Sequence, residues 1–308
     1  MRVMESLKTE LHCHNIFSNG HVGVLEPIYD CNVTIPKQLE QAYLAGLDVL
    51  FVTNHNTIDG YRQMLEYKKN YQKFDALKVY PAEEVTTDNE SHVLVYGIDH
   101  SIKSGLSLHE VLDEAKKQDA VTIAPHPFSL LDALREDSVY CDLFEAFNSS
   151  NVDVYSNLRA KKFAKEKSLH VVAGSDSHVQ TTIGRSTNLI YSENKLDNII
   201  DAMKHHKITI GKTAYVEPRE ILEHIKYKIE GSSDFIDKYI SQFYPGTLWP
   251  IKLLYKLYMI DPEGIFCNMF YRMSVFALRR ISKKINFEGC DHHLFRERNL
   301  ANILKMVF

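Results

Sequence analysis

Residues 7–14 read LKTELHCH, a short run that ends in two histidines separated by one cysteine. The run predicts a β-strand over Leu7–His12, and the side chains of residues i and i+2 in a strand share a face. We therefore expect the imidazoles of His12 and His14 to converge while Cys13 points away. Two histidines placed in this way at the end of a strand can hold one metal ion.

Side chains that can bind metal recur at the ends of other predicted strands. Barrels and open α/β sheets carry their chemistry at the carboxyl ends of strands, so these residues are expected to lie together. The full set comprises six histidines and two carboxylates, namely His12, His14, His55 in LFVTNHNT, Glu84 in VYPAEEVT, His92 in HVLVYG, His126 in VTIAPHPF, and Asp176 with His178 in VVAGSDSH.

The periodicity of the chain predicts the fold class. Short β-branched runs alternate with amphipathic segments through about residue 215 and give eight predicted strands and five predicted helices. This alternation favours an α/β fold with a parallel sheet or barrel. After Gly211 the pattern stops and the chain reads as interrupted helices. We predict one domain over residues 1–217 and a helical, basic, aromatic-rich region of unknown role over 218–308.

Composition excludes several classes of protein. The 308 residues include 36 Lys and Arg against 40 Asp and Glu, and 44% are hydrophobic, which is ordinary for a globular chain and excludes disordered, collagen-like and low-complexity proteins. The five cysteines are scattered, and we see no apolar leader at the N-terminus. These features predict a cytoplasmic protein.

The predicted ligands suit Zn²⁺, Mn²⁺ or Fe²⁺, and there are too many of them for one ion. Two or three neighbouring ions would favour hydrolysis, because they activate a water molecule and hold the oxygens of an in-line displacement. Glu84 is the expected bridging carboxylate, and Asp176 is expected to bind one ion and to guide the proton of the attacking water.

Seven segments together resemble the PHP (polymerase and histidinol phosphatase) family. ELHCHNIFSNG resembles the family's opening motif DLHxHTxxSDG, FVTNHNT resembles ITDHDT, and AEEVT resembles GxEIT; HVLVYG, APHP and GSDSH match the remaining motifs. LFEAFN, with Glu145 and Asn148, resembles the segment IEVxN. The resemblance covers residues 7–215 in order.

This resemblance implies a distorted (β/α)7 barrel of the PHP type, followed here by a small helical C-terminal region. It implies two or three divalent ions and phosphoester hydrolysis by a metal-bound hydroxide. The family's ligand sets correspond to His12, His14, Glu84 and Asp176 for a first ion, to Glu84, His92 and His126 for a second, and to His55 and His178 with Asn19 for a third.

Asn19 is the one departure at a ligand position, since the family has aspartate there. A neutral amide is a poorer ligand than a carboxylate, so we expect the third ion to be weak or absent unless His21 substitutes. Glu10, Asn54 and Asn56 also replace family aspartates, at positions expected to orient the ligands. Glu84 is preferred to Glu83 because Glu-Val-Thr matches the motif.

The nature of the substrate is left open by the sequence. A small phosphomonoester, such as a nucleotide or sugar phosphate, is the leading hypothesis, with Arg185 as a candidate phosphate contact. A nuclease or phosphodiesterase acting on nucleic-acid ends is the alternative, with eight basic and two acidic residues between Lys238 and Lys284 as its grip. A non-catalytic metal-binding scaffold that docks a membrane or a partner protein through this region is the third.

Overall fold

The structure is a computed structural model that describes residues 6–23, 28–244, 246–261, 264–297 and 299–308. One mixed sheet forms the centre of the protein. Its nine strands are β1 (Ser6–Glu10), β2 (Val49–Val52), β3 (Lys78–Thr86), β4 (His92–Tyr96), β5 (Val121–Ala124), β6 (Leu143–Asn148), β7 (Val171–Gly174), β8 (Thr187–Tyr191) and β9 (Ile208–Lys212).

Helices cover the sheet and form the C-terminal region. They are α1 (Ile35–Leu44), α2 (Asp59–Lys68), α3 (Leu108–Lys117), α4 (Tyr155–Lys167), α5 (Leu196–Lys204), α6 (Pro218–Gly231), α7 (Ser233–Phe243), α8 (Leu248–Ile260), α9 (Ile265–Phe287), α10 (His293–Arg296) and α11 (Leu300–Val307). Within the described residues, no helix combines the length and apolarity needed to span a bilayer.

The strand order is β7-β6-β5-β4-β3-β2-β1-β8-β9. β4 runs antiparallel to both of its neighbours, and β8 runs antiparallel to β1 and β9, whereas the other pairs are parallel. Because β4 is reversed, its first residue, His92, lies beside Thr86, the last residue of β3. The start of β4 therefore lies at the edge formed by the carboxyl ends of the parallel strands, which we call the functional edge.

The sheet curls until β7 approaches β8, and a side chain spans the gap. Asn188 on β8 accepts from the backbone nitrogen of Ala173 on β7 at 2.9 Å and donates to the Ala173 carbonyl at 2.7 Å. The amide thus makes the pair of bonds that a neighbouring strand would make. The predicted α/β class, the distorted barrel and the helical C-terminal region are confirmed, with β9 as a strand that the sequence pattern did not predict.

Apolar side chains fill the barrel, and α5 covers one of its ends. Leu11, Phe51 and Tyr96 belong to a fully buried interior cluster that also includes Ile200 of α5. Gly97 follows β4 with φ +81°, and a Cβ there would lie 2.8 Å from the Ile200 side chain. Since Gly97 lies at the far end of β4 from His92, α5 closes the end opposite the functional edge.

The C-terminal helices begin at Pro218, directly after the predicted boundary at 217, but the division into two domains there stays a prediction. Helix α9 is joined to the barrel by polar contacts. Ser282 donates to Asp153 at 2.6 Å, and Asn286 donates to the Phe128 carbonyl at 3.2 Å. α6 contacts the functional edge itself, as described below.

Candidate metal centre

The barrel edge opposite α5 gathers a buried cluster of histidines and carboxylates. All eight ligand residues expected at strand ends lie in it, and their strands place them there. His12 and His14 follow β1, His55 follows β2, and Glu84 lies two residues before the end of β3. His92 is the first residue of the reversed β4, His126 follows β5, and Asp176 and His178 follow β7. Cys13, between the first two histidines, points away and donates to the Phe51 carbonyl at 3.3 Å.

Glu84 lies at the centre of the cluster and is 1% exposed. Its Oε2 lies 3.4 Å from His12 Nε2, 3.3 Å from His14 Nε2 and 3.4 Å from His55 Nδ1. Its Oε1 lies 3.1 Å from both His92 Nδ1 and His126 Nε2. The two oxygens therefore face two separate sets of imidazoles, so Glu84 would be able to contact two cations at once.

Two aspartates flank this centre. Asp176 Oδ1 lies 3.5 Å from His12 Nε2 and 3.6 Å from His14 Nε2. Asp30 Oδ2 lies 3.0 Å from His178 Nε2 and 3.5 Å from His55 Nε2. Each of these imidazoles therefore lies close to at least one carboxylate oxygen.

The outward nitrogens of several histidines are held by hydrogen bonds, which fixes the direction of the inward ones. His12 Nδ1 lies 3.1 Å from Glu145 Oε1. Ser18 Oγ donates to Asn54 Oδ1 at 3.1 Å, so it accepts from His14 Nδ1 at 3.2 Å. Such partners leave the Nε2 lone pairs of both rings directed into the cluster.

The cluster separates charges in the way that a cation site requires. Burial would raise the pKa of Glu84, but His92, His12 and His55 hold it well below its ordinary value. Burial also opposes ionisation of Asp176, yet the pKa of this carboxyl is lowered well below its ordinary value by His12 and other histidines. Burial lowers the pKa of His55 well below its ordinary value. The same carboxylates raise the pKa of His12, His126 and His178 against the effect of burial. The buried carboxylates therefore require cationic partners within the cluster.

Buried nitrogens without partners show that divalent ions fit this donor set. Among the described residues, His12 Nε2, His14 Nε2 and His55 Nδ1 are buried with no hydrogen-bond partner. Such orphaned atoms are costly unless a ligand binds them. Ligand atoms at this edge lie within 4.8 Å of one another in four overlapping groups, which are His12-His14-Glu84, His12-His126-Asp176, His55-Glu84-His92 and His14-Asp30-His55-His178.

Two residues of the cluster have left-handed backbones. His126 has φ +29° and Asp176 has φ +51°, conformations that cost of order 1–3 kcal/mol in non-glycine residues. Hydrogen bonds hold both in place. The His126 nitrogen donates to Glu145 Oε2 at 2.6 Å, and the Asp176 carbonyl accepts from Ser150 Oγ at 3.0 Å. These hydrogen bonds thus maintain the backbone conformation in which both side chains face the cluster.

Asn19 does not occupy the ligand position expected for it, and Asp30 lies there instead. The Asn19 carbonyl oxygen accepts from the backbone nitrogens of Asp30 at 2.7 Å and Cys31 at 3.0 Å. Its amide nitrogen donates to the Cys31 carbonyl and to Tyr227 Oη, each at 3.1 Å. Asn19 thus positions the Asp30 segment. His21, the considered substitute, is exposed.

Helix α6 brings further side chains to Asp30. Lys228 Nζ lies 2.8 Å from Asp30 Oδ1, and His224 Nε2 donates to the Asp30 carbonyl at 2.8 Å. The His224 ring also stacks on His178, with centroids 4.5 Å apart. Burial lowers the pKa of His224 to about 4, so its ring is neutral. Residues 220, 224 and 228 share one helix face, but that spacing is typical of a solvated helix and did not predict a role at the cluster.

Arg185 is paired with a carboxylate of α6. Its guanidinium contacts Glu220, which is 3% exposed, and lies 3.8 Å from Glu217. Glu220 also accepts from Thr181 Oγ1 at 2.7 Å and lines the small pocket beside Asp176 and His178. The phosphate contact expected of Arg185 stays a prediction, and the structure adds the requirement that this pair must open.

Glu83 and Glu10 are buried carboxyls outside the ligand groups. Glu83 accepts from the backbone nitrogen of Ile102, on the other face of β3 from Glu84. Glu10 accepts from the backbone nitrogens of His12 at 3.1 Å and Gly184 at 2.8 Å. Burial raises the pKa of each to about 7. The preference for Glu84 over Glu83 as a ligand therefore agrees with the geometry.

This chain resembles a family model and proteins of known sequence. Residues 154–208 match a family model described as PHP-associated. The chain is 31% identical over 166 residues to the uncharacterised protein MJ1587 of Methanocaldococcus jannaschii, an alignment that covers 52% of this chain and 93% of the relative.

Two solved structures have a similar fold. PsfC from Pseudomonas syringae PB-5123 is 18% identical with a TM-score of 0.51, and the match covers 74% of this chain and 99% of PsfC. The lesion-specific endonuclease PfuEndoQ from Pyrococcus furiosus is 18% identical with a TM-score of 0.52, and the match covers 70% of this chain and 60% of the endonuclease. At this level of identity the similarity concerns the fold.

Proposed function

This chain belongs to the PHP (polymerase and histidinol phosphatase) family, and we propose that it is a metal-dependent phosphoesterase that hydrolyses a small phosphomonoester such as a nucleotide or sugar phosphate. The observation that carries the proposal is the position of Glu84, whose two oxygens face separate sets of buried imidazoles at 3.1–3.4 Å. Mn²⁺, Zn²⁺ and Fe²⁺ are the ions that such donors suit.

The residues would share the ions as follows. His12 and His14 would bind a first ion with Glu84 and Asp176, and His92 and His126 would bind a second with Glu84. His55 and His178 would serve a third position with Asp30 in place of Asn19. When bound, divalent ions supply an activated water molecule and neutralise the charge on phosphate oxygens.

Asp176 is the carboxylate best placed to handle a proton. Its side chain is 15% exposed, whereas that of Glu84 is 1% exposed. Its Oδ2 accepts from Asn148 Nδ2 at 3.2 Å, which fixes the carboxylate plane. Asp176 also lines the small pocket that opens beside His178. We assign it the proton of the attacking water, and we assign Glu84 the task of holding two cations together.

A small pocket at the metal centre adjoins a larger groove that offers room for the organic part of a substrate. The pocket beside Asp176 has a volume of only about 30 Å³ and shares Val216 with a groove of about 480 Å³. The loop after β6 separates them, with Ser150 on the side of the pocket and Val152 on the side of the groove. We place the reacting phosphate at the pocket and the organic part of the ester in the groove, where Arg185 would meet the phosphate after release from Glu220.

The test is hydrolysis of p-nitrophenyl phosphate by protein loaded with Mn²⁺, Zn²⁺ or Fe²⁺, compared with His14→Ala. The variant should lose at least about 10³-fold in kcat/KM, of order 4 kcal/mol, without loss of helical circular dichroism. Cys13→Ala is the matched control, since the neighbouring thiol faces away from the cluster. Equal rates in His14→Ala and the unaltered protein would remove the proposal.

A nuclease acting on nucleic-acid ends is the second candidate, because the lining of the groove includes two arginines, Arg272 and Arg279, together with aromatic residues such as Tyr215 and Phe276. Cations interleaved with aromatic rings suit a nucleic-acid strand, and PfuEndoQ, which shares the fold, is a lesion-specific endonuclease. Binding of a 5′-phosphorylated oligonucleotide that falls steeply with salt would favour this candidate. A scaffold that docks a membrane or partner protein would show neither hydrolysis nor such binding.

The cytoplasmic location stays a proposal, and it rests on the five cysteines. Of these, Cys13, Cys31, Cys141 and Cys290 are free thiols in the structure. Free thiols persist in reducing compartments.

A further inference from the structure

One carboxylate oxygen of Asp30 faces two histidines, and the other faces a lysine. The residue is fully buried. Its Oδ2 faces His178 Nε2 at 3.0 Å and His55 Nε2 at 3.5 Å, whereas its Oδ1 faces Lys228 Nζ at 2.8 Å. The buried carboxylate therefore already has the Lys228 ammonium as an ion-pair partner.

Lys228 is held at this point by the rest of α6. His224, one turn earlier on the same face, donates to the Asp30 carbonyl, and the next turn of chain is fixed where Tyr29 N donates to Ser232 Oγ at 3.0 Å. Tyr227 Oη accepts from Asn19 at 3.1 Å, and Asn19 in turn holds the Asp30 backbone. The ammonium is thus carried by a helix that hydrogen bonds dock against the Asp30 segment, and it forms an ion pair with Asp30.

Asp30 differs from Glu84 and Asp176 in having a lysine as an ion-pair partner. Glu84 and Asp176 face imidazoles, and no lysine or arginine of the described residues forms an ion pair with either. A divalent ion held by Asp30, His55 and His178 would share its only carboxylate with an ammonium 2.8 Å away. Two cations on one buried carboxylate repel each other, and the desolvated setting strengthens the repulsion.

We propose that the Lys228 ammonium takes the place of a third divalent ion at Asp30, so that this chain loads two ions and the C-terminal region sets their number. The proposal rests on the metal centre of the proposed function. It assigns Lys228 a positioning role, since its ammonium holds the carboxylate that faces His55 and His178.

Metal content per chain tests the proposal. Purified full-length protein is incubated with Mn²⁺, desalted and measured by elemental mass spectrometry, and Mn²⁺ binding is followed by calorimetry. We expect two ions in the unaltered protein and three in Lys228→Met, with affinity at the third position raised at least 10-fold. Lys226→Met is the matched control, because Lys226 lies on the same helix and pairs with Glu230 at the surface. It should retain two.

Further variants locate the third ion. Lys228→Met combined with Asp30→Asn should return to two ions, because the gained ion loses its carboxylate. Lys228→Arg, which keeps the charge, should also hold two, and it keeps the test decisive if Lys228→Met fails to fold. Three ions in the unaltered protein or in Lys228→Arg would overturn the proposal, as would two or fewer in a folded Lys228→Met.

Hydrolysis of p-nitrophenyl phosphate on the same samples separates this proposal from the proposed function. Active protein with equal metal content in all variants would overturn the role of Lys228 and leave the phosphoesterase intact. A third ion gained by Lys228→Met in a protein that hydrolyses nothing would support the role of Lys228 and count against the phosphoesterase.

Discussion

The barrel edge and helix α6 supply side chains to one pocket, but they differ in how the sequence signals them. Each barrel ligand stands at the end or start of a strand, within a few residues of a recognisable run. Glu220, His224 and Lys228 stand four residues apart on a helix, where the same spacing is typical of an ordinary solvated face. Proximity to the metal centre arises for these three only through tertiary packing.

The two regions contribute different kinds of side chain to the site. The barrel supplies donors with free lone pairs, whereas α6 supplies partners that neutralise charges already present. Lys228 neutralises Asp30, and Glu220 neutralises Arg185. If this division is correct, changes in the barrel should act on metal binding and catalysis, and changes at Glu220 should act first on stability.

The largest effect is expected for Glu84→Gln. The amide has one carbonyl oxygen and no net charge, so it cannot hold two cations together. We expect a loss of about 10⁴-fold in kcat, of order 5 kcal/mol, together with the loss of at least one ion per chain. Hydrolysis rates and elemental mass spectrometry measure the two effects. Full metal content with normal turnover would show that Glu84 is no bridge.

Glu220→Gln should have the next largest effect, on the α6 side of the comparison. The change leaves the Arg185 guanidinium, which is 17% exposed, with Glu217 at 3.8 Å as its remaining carboxylate. Removing one partner of a buried pair is strongly destabilising, and we expect about 3 kcal/mol. Urea unfolding measures it, with the exposed Glu223→Gln as control. Equal stability of both variants would show that this pair does not anchor α6.

Much of the barrel was predictable, because its ligands lie beside strands. The α/β pattern, the distorted barrel and the grouping of His12, His14 and Glu84 follow from local runs. Asp30 was not predictable, because it lies in an irregular segment with no preceding strand to place it. Strand β9 was missed because Ile208–Lys212 is short and largely exposed at the sheet edge. The roles of α6 depend on packing between segments about 200 residues apart in sequence, as with Asn19 and Tyr227.

Glu145→Gln tests whether a residue that contacts a ligand, without belonging to a ligand group itself, contributes to metal affinity. Its Oε1 lies 3.1 Å from His12 Nδ1 and fixes the orientation of that ring. Partners of this kind are worth about 10–100-fold in metal affinity. Competition with a chelator measures the loss, and Glu136→Gln, at a 63% exposed side chain, is the control. An affinity equal to that of the control would mean that His12 needs no such support.

The smallest effect concerns Glu83, which is as buried as Glu84 but faces away from the histidines. Burial raises the pKa of Glu83 to about 7, so the folded protein keeps a proton that the unfolded chain releases near 4.5. Stability from this group is complete below pH 4.5 and is lost as the pH rises through 7. The glutamine in Glu83→Gln does not titrate. Between pH 5 and pH 8 the free energy of unfolding of this variant should therefore fall by about 2 kcal/mol less than that of the unaltered protein.

Urea unfolding in excess chelator at both pH values measures this difference without interference from metal binding. Glu10, whose burial also raises its pKa to about 7, contributes equally to both proteins and cancels. Parallel pH dependence in the two proteins would contradict the assignment and would mean that Glu83 is ionised in the fold. The face of β3 that each carboxyl occupies would then not explain why Glu84 is a ligand and Glu83 is not. The division between ligands and partners would need another cause.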